Sequence, residues 1–244
     1  MTSSPGHTPR PISEVVAAVW RGWKAPSSTT AIDAIAISPS YRTEEGREVP
    51  RTAHLSVRYG RLLHFLVKEF QPARLLEIGM ATGVSSTYMA LARQSYGGGR
   101  HVIVDPFQTA DWGGGGRALL ESLGLMGGVE VIEETSLRAL TRMEAAGERC
   151  DFVFIDGNHC LDYTLADILL ADLVLAIGGI IVLDDATGFG VADSVRYLDG
   201  HRPNLERVRL DPPLVHWFRE LTGRRRRLAV YRKVCDDARG ANSY

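Results

Sequence analysis

An acid and a histidine follow directly on an apolar segment in "DFVFIDGNHC", residues 151–160. Asp156 ends this strand-like segment, and His159 comes three residues later. A charge at the end of a buried strand is costly unless another group pairs with it. A histidine, whose pKa is ordinarily ~6.5, is suited to accept a proton near neutral pH. The two residues therefore indicate a reactive site, and the rest of the chain must supply the partner of the acid.

Two further acids end the next apolar segment, "GIIVLDD" at residues 179–185. Neighbouring parallel strands bring their C-terminal ends to the same edge of a sheet, so Asp184 and Asp185 should lie near Asp156. Three carboxylates would repel one another without a cation, and Mg²⁺ takes oxygen ligands. This predicts a divalent metal site formed by the three aspartates. Since adjacent strand residues point to opposite faces, the last two converge only where strand geometry ends. The alternative is a helix-capping acid beside a solvent-facing one.

A glycine-containing loop follows the first apolar segment of the core, in "LLEIGMATGVSSTYMA" at residues 75–90. Such a turn lets the backbone approach a ligand beside the free N–H groups of a helix N-terminus. Asp105 ends the next predicted strand, where an acid can bind both hydroxyls of a ribose. Together these features favour an adenosine-containing ligand over a tight turn and a capping acid. The loop is E-x-G-x-x-x-G, without a phosphate-binding lysine, which makes NAD and ATP poor candidates.

With these features the sequence resembles the class I S-adenosylmethionine-dependent methyltransferases over about residues 52–234. The resemblance implies that the loop holds the methionyl part of the cofactor and that Asp105 holds its ribose. Ser136, in "EETSLRAL", takes the position of a serine near the adenine, although it could equally cap the following helix. The implied cofactor-binding set is Glu77, Gly79, Met80, Ala81, Gly83, Ser85, Asp105, Ser136 and Asp156.

The segments "DGNHCLDY" and "DILLADLVLAIGGIIVLDDA" resemble metal-dependent small-molecule O-methyltransferases. They are nearer to the bacterial antibiotic-tailoring and sugar enzymes of the macrocin and mycinamicin types than to the catechol and caffeoyl-CoA ones. The latter have Asp-Asn in place of Asp184-Asp185 and a lysine near His159. The resemblance implies Mg²⁺-assisted methylation of a small-molecule hydroxyl in bacterial secondary metabolism, with Asp156 and His159 as the catalytic residues. Asp162 and Asp167 are interpreted as helix-surface or capping acids.

Other functions stay open at this point. His159 could be a surface or packing residue, and the same fold could serve a metal-independent methyltransferase acting on a small molecule or RNA. A non-methylating protein that reuses the cofactor-binding fold is a further alternative. The four-arginine run in "GRRRR", residues 223–227, could contact phosphate, but a formal net charge of −1 argues against an extended nucleic-acid surface.

The pattern of elements predicts an α/β fold. After Pro72, short apolar runs alternate with helical segments, which is typical of a doubly wound, mostly parallel sheet of βαβ units. Seven strands are expected, the last two as an antiparallel pair: 73–79, 101–106, 129–134, 150–156, 179–185, 205–210 and 227–234. The predicted organisation is a disordered N-terminus (1–11), a helical N-terminal extension and lid (12–70), a methyltransferase core (71–235) and a flexible tail (236–244).

Smaller features complete the expectations. Ser13 is a candidate N-cap for the first helix, and the polar segment 39–51 is a candidate mobile loop that could close over the site. Substrate choice is expected in residues 107–117 and 212–218, which carry Trp112 and Trp217. Trp20 and Trp23 could support a homo-oligomer through the N-terminal helices. Three cysteines without metal-ligand spacing and the absence of a membrane-length apolar run favour the cytoplasm.

Overall fold

The computed structural model describes residues 11–23, 29–53, 55–210 and 227–239. The helices are α1 (Ile12–Trp23), α2 (Thr30–Ala36), α3 (Val57–Phe70), α4 (Val84–Gln94), α5 (Gly115–Ser122), α6 (Ser136–Ala145), α7 (Leu161–Val174) and α8 (Phe189–His201). The strands are β1 (Ser40–Arg42), β2 (Glu48–Pro50), β3 (Arg74–Ile78), β4 (Arg100–Val104), β5 (Val129–Ile132), β6 (Cys150–Ile155), β7 (Leu175–Leu183), β8 (Leu205–Arg207) and β9 (Ala229–Lys233).

Seven strands form one sheet in the order β5-β4-β3-β6-β7-β9-β8. The first five are parallel, whereas β9 is antiparallel to both β7 and β8. The predicted mostly parallel, seven-stranded sheet with an antiparallel final pair is therefore confirmed. The chain winds outward from β3 to β5 and returns to β6, so the strand order reverses between β3 and β6. A ligand crevice is expected at that point, beyond the C-terminal ends of the strands.

Helices cover both faces of the sheet, which explains why the central strands read as continuous apolar runs. On β6, Phe152 and Phe154 pack with α1, α3 and α4 on one face. Val153 and Ile155 pack with α6, α7 and α8 on the other. All four side chains are buried. The sheet is thus a rigid support whose strand ends carry the polar residues.

The N-terminal region differs in detail from the expectation. Segment 39–51, predicted as a loop, contains the antiparallel hairpin of β1 and β2. Its strands are only three residues long and polar, so they lack an apolar alternation that would have identified them. Pro50 fits there because an edge strand need not donate from every residue. The helix α1 begins at Ile12, so Ser13 lies inside its first turn and is not the N-cap.

The hairpin packs closely on the core. Arg51, directly after β2, is buried and donates through Nη1 to Thr82 Oγ1 in the glycine loop at 2.7 Å. Glycines just before α5 and in its first turn permit a close approach of the hairpin to this helix. A Cβ on Gly115 would lie 2.4 Å from the Tyr41 ring. Glu44 N donates to Gly113 O at 2.8 Å. The hairpin thereby covers one side of the predicted cofactor loop.

Some expectations lie outside the described residues. These are the disorder of residues 1–10, the substrate role of 212–218 with Trp217, most of the arginine run (223–226), the end of the tail (240–244), and the side chains of Trp20 and Trp23. Within the described part of the tail, Asp236 lies 2.8 Å from Lys233. In the described ranges, no helix has both the length and the apolar character needed to cross a lipid bilayer.

Candidate active site

The glycine loop joins β3 to α4 and contacts the neighbouring strand end. Gly79 has φ +89°, and a Cβ there would lie 2.1 Å from the carbonyl oxygen of Asp156. Asp156 N donates to Ile78 O at 2.9 Å. Gly83, at the N-cap position of α4, has φ +79°. Glycine is therefore required at position 79 by both backbone conformation and space.

Glu77 lies beneath the loop and not on the wall of the crevice. Its side chain is fully buried and accepts a hydrogen bond from Ser85 Oγ at 2.6 Å. His101 Nε2 lies 3.0 Å from its other oxygen, without hydrogen-bond alignment. Sequence reasoning missed His101, although β4 pairs it with Leu75, on the same face as Glu77. A direct contact between Glu77 and a cofactor stays a prediction, and the observed contacts support the loop from below.

Asp105 holds the loop by its backbone. Its Oδ2 accepts from Met80 N at 2.9 Å, from Ala81 N at 2.8 Å and from the side chain of Gln108 at 3.1 Å. Its Oδ1 accepts from Phe107 N at 2.9 Å. The carboxylate lines the crevice and is 4% exposed. Binding of a ribose by Asp105 stays a prediction, and the ribose hydroxyls would share this acid with four N–H donors.

Asp156, His159 and Asp185 converge at the ends of β6 and β7, and we call them the acidic trio. His159 Nε2 lies 3.2 Å from Asp156 Oδ1 and 3.5 Å from Asp185 Oδ2. One ligand atom from each residue lies within 4.8 Å of the others. Strand β7 ends at Leu183, and Asp185 has φ +49°. The chain thus leaves strand geometry at Asp185, whose side chain lies beside Asp156 and His159.

Asp184 occupies a different position from the other predicted metal ligands. It is 1% exposed and accepts two hydrogen bonds from Arg227, at 2.8 and 3.0 Å. Arg227 Nε also lies 2.8 Å from Asp185 Oδ1. The structure therefore places His159, and not Asp184, beside the other two acids, and ligation by Asp184 stays a prediction. Arg227 was missed, although the antiparallel register of β9 beside β7 brings it to the aspartate pair.

The pKa values of His159 and Asp184 are both raised in this cluster. The hydrogen bond to Asp156 raises the pKa of His159 above its ordinary value, against the opposing effect of burial. Burial and the charge of Asp156 raise the pKa of Asp184 to about 7, while Arg227 opposes the shift. Excess negative charge at a strand edge attracts positive charge, as a proton or as a cation. The cluster is therefore suited to bind a cation or to accept a proton.

Asp167 is not a helix-surface or capping acid, which corrects the interpretation from sequence. It lies on α7 facing the crevice, is 5% exposed, and accepts a hydrogen bond from Ser136 Oγ. Burial raises the pKa of Asp167 to about 6. Thr135, not Ser136, stands at the N-cap position of α6. Asp162, in contrast, is exposed in the first turn of α7, as expected.

These groups line one cavity of about 660 Å³, a size typical of small-molecule sites. The wall runs from the glycine loop past the end of β4 to α6, α7 and the acidic trio. It includes Gly79, Met80, Ala81, Ser85, Asp105, Phe107, Trp112, Ser136, Asp156, Asn158, His159, Tyr163, Asp167, Asp185 and Arg227. Of the predicted set, Glu77, Gly83 and Asp184 lie behind the wall. A glycine loop, a strand-end acid and ionisable groups in one cavity fit a nucleoside-containing cofactor next to a reacting group.

The doubly wound seven-stranded sheet, with its glycine loop at the switch point, defines the class I S-adenosylmethionine-dependent methyltransferase fold. Residues 76–186 match a family model described as a methyltransferase domain. This segment, which holds the glycine loop and the acids at the ends of β4, β6 and β7, is therefore similar to a methyltransferase domain. No curated protein matches the chain significantly.

Solved structures share the fold at low sequence identity. The SAH-bound methyltransferase PaMTH1 from Podospora anserina is 14% identical, with a TM-score of 0.62, covering 96% of this chain and 100% of its own. The O-methyltransferase TomG from Streptomyces achromogenes, involved in tomaymycin synthesis and solved with SAM, is 20% identical (TM-score 0.57; 90% and 96% covered). Cofactor-bound Rv0187 from MTB is 24% identical (TM-score 0.55; 80% and 81% covered).

Proposed function

We propose that the protein transfers the methyl group of S-adenosylmethionine to a hydroxyl oxygen of a small molecule, assisted by a divalent cation. The observation that supports this best is the direct contact between the glycine loop and the acidic trio, through Gly79 and Asp156. A cofactor on the loop would hold its sulfonium methyl beside ionisable groups that can bind and deprotonate an acceptor. Involvement of TomG in tomaymycin synthesis supports a role in bacterial secondary metabolism.

Asp156 and Asp185 are the residues that would hold the cation. Two carboxylate oxygens leave room for water and substrate oxygens around Mg²⁺, which prefers such a partly hydrated shell. Mn²⁺ also takes carboxylate and water oxygens and is therefore the second ion to test. When bound, the ion neutralises the carboxylates and stabilises the ionised form of an acceptor hydroxyl. Mg²⁺ therefore stays the first ion to test.

His159 is proposed as the group that accepts the proton. Its Nε2 faces Asp156 and Asp185, and its side chain is 35% exposed on the cavity side. The acceptor oxygen forms a bond to the methyl carbon, the carbon–sulfur bond breaks with its electrons going to sulfur, and the hydroxyl proton passes to His159. The rest of the rate enhancement would come from positioning of the two reactants in a cavity that the β1–β2 hairpin shields.

A metal-independent methyltransferase is the second candidate, and Arg227 favours it. This arginine already supplies one positive charge to Asp184 and Asp185. The side chains of Asp184 and Asp185 could then serve only to shape the site, and His159 alone would act as base. RNA is the less supported substrate, because Arg227, the arginine in the described cavity wall, is already paired with Asp184 and Asp185. A protein that reuses the fold without methylating would bind the cofactor and show no transfer to any acceptor.

We further propose a cytoplasmic location and no membrane or nucleic-acid partner. The three free cysteines, of which Cys160 and Cys235 are exposed, are consistent with a reducing compartment. A homo-oligomer through the N-terminal helices also stays a proposal, which light scattering of the purified protein would test.

Calorimetric titration of the EDTA-treated protein with S-adenosylmethionine, followed by Mg²⁺ and then Mn²⁺, tests the proposed function. We expect saturable cofactor binding and a separate metal signal. Cofactor binding without any metal signal would support the metal-independent candidate. An absence of cofactor binding would contradict both. Because the titration needs no acceptor, it can precede a screen of hydroxylated natural products.

Replacing His159 with glutamine is expected to lower the methyl-transfer rate by about 10²–10⁴-fold, because a general base contributes that much. Cofactor and metal binding should change little, since glutamine keeps a polar side chain of similar length. The measurement is transfer of a labelled methyl group to an acceptor found in the screen. A rate within threefold of the wild-type rate would show that another group takes the proton.

A further inference from the structure

Asp167 is a buried acid in the cavity wall whose second oxygen has no protein donor in the described part of the chain. Its Oδ1 accepts from Ser136 Oγ. Its Oδ2 lies against Gly157, where a Cβ would be 3.2 Å away. The described residues form no salt bridge with it. The carboxylate thus has one firm partner and unused acceptor capacity beside the cavity.

Such an acid is costly in a folded protein. An ionised carboxylate that is 5% exposed, with a single hydroxyl donor, loses much of its hydration without full compensation. Burial raises the pKa of Asp167 to about 6, so the group is mostly ionised at neutral pH despite that cost. A perturbed, pocket-facing acid of this kind is a candidate for ligand contact.

The apolar part of the cavity wall limits which ligand group could satisfy Asp167. Ile78, Val104, Pro106 and Phe107 line the same cavity. The Phe107 side chain is 53% exposed and is available as a stacking surface. A flat ring between such side chains, with an N–H donor at its edge, would bury its faces and satisfy the carboxylate. Adenine, with its exocyclic amino group, has both properties.

We propose that Asp167 recognises the adenine of the cofactor by accepting a hydrogen bond from its exocyclic amino group, while Ser136 fixes the orientation of the carboxylate. Asp167 is then a specificity-determining residue for the methyl donor. This inference rests on the proposed function, because it requires a cofactor that contains adenosine. A purine without the amino group would leave a buried carboxylate without its donor, and its affinity should fall.

The test compares two ligands, S-adenosylhomocysteine and its analogue with an unsubstituted purine in place of adenine, by calorimetry at pH 7.5. The wild-type protein should prefer the adenine compound by about tenfold or more, the usual effect of losing a hydrogen bond to a charged group. In Asp167→Ala the preference should fall to nearly one. Asp167→Asn, whose amide oxygen can still accept, should recover part of it. Asp162→Ala, on the exposed first turn of the same helix, should keep the full preference.

The ratio of the two affinities separates recognition from stability. If Asp167→Ala weakens both ligands equally and the preference persists, the acid is only structural and the inference is wrong. The same holds if the wild-type protein shows no preference. If Asp167→Ala fails to fold, Asp167→Asn alone decides: its neutral amide oxygen is a weaker acceptor and should reduce the preference, so a full wild-type preference in that variant would overturn the proposal. If S-adenosylhomocysteine does not bind the wild-type protein, the proposed function fails first.

Discussion

Replacing Asp156 with alanine is expected to abolish the metal signal and to lower methyl transfer by about 10³-fold or more, since a catalytic metal ion contributes several kcal/mol to the transition state. The Asp156 side chain belongs to the acidic trio, and its Oδ1 lies 3.2 Å from His159 Nε2. Its loss removes a ligand oxygen and the hydrogen bond that orients the proposed base. Calorimetry with Mg²⁺ and a labelled-methyl assay measure the two effects.

The same variant should fold normally. Asp156 is partly exposed and sits among other carboxylates, so its removal relieves repulsion and costs little packing. Its melting temperature without metal should therefore equal or exceed that of the wild-type protein. Asp162→Ala removes an acid six residues later on α7 and serves as the matched control. If Asp156→Ala keeps a normal metal isotherm, the cation is bound elsewhere or the trio has another role.

Replacing Gly79 with alanine is expected to destabilise the fold by about 2–5 kcal/mol, as the sum of left-handed backbone strain and overpacking. A Cβ there would lie 2.1 Å from Asp156 O and 3.1 Å from Gly157 Cα, both main-chain atoms that cannot rotate away. Relief requires β3 and β6 to separate at the cofactor loop. We therefore also expect loss of S-adenosylmethionine binding, measured by calorimetry beside urea denaturation.

Gly97→Ala isolates the contribution of backbone conformation. Gly97 has φ +93°, almost the same as Gly79, but a Cβ there would meet no atom within 4 Å. The Gly97→Ala control should lose only about 1–2 kcal/mol of unfolding free energy and should keep cofactor binding. Equal losses in the two variants would mean that the contact with Asp156 is unimportant and that the loop can shift freely.

Periodicity was sufficient to predict the sheet, because βαβ units have short apolar strands separated by amphipathic helices. The predicted strands overlap β3 to β9, and the antiparallel final pair was anticipated from the short, Pro- and Gly-containing connection. The β1–β2 hairpin was missed because three polar residues per strand give no periodic signal. Spacing also placed Asp105 and Asp156 correctly at strand ends that meet at the cavity.

The positions of the remaining site residues depend on contacts between segments that are far apart in the sequence, and a sequence pattern does not show such contacts. Asp167 looks like a surface acid on α7, yet packing of α7 against α6 buries it beside Ser136. Arg227 belongs to a run that reads as a solvated turn, yet β9 delivers it to Asp184. Which carboxylate faces the cavity depended on one backbone angle at Asp185, which residue types do not specify.

The main-chain hydrogen bond from Asp156 to Ile78 and the contact at Gly79 leave no clearance between the cofactor loop and the acid. The distance between a bound methyl donor and the acceptor site is then a fixed dimension of two adjacent strands, independent of any lid. Displacement of about 1 Å can lower a reaction rate ~10²-fold, so this dimension tolerates little variation. Redesign for new acceptors should therefore vary the surrounding loops, such as residues 107–112, and leave the junction of β3 and β6 unchanged.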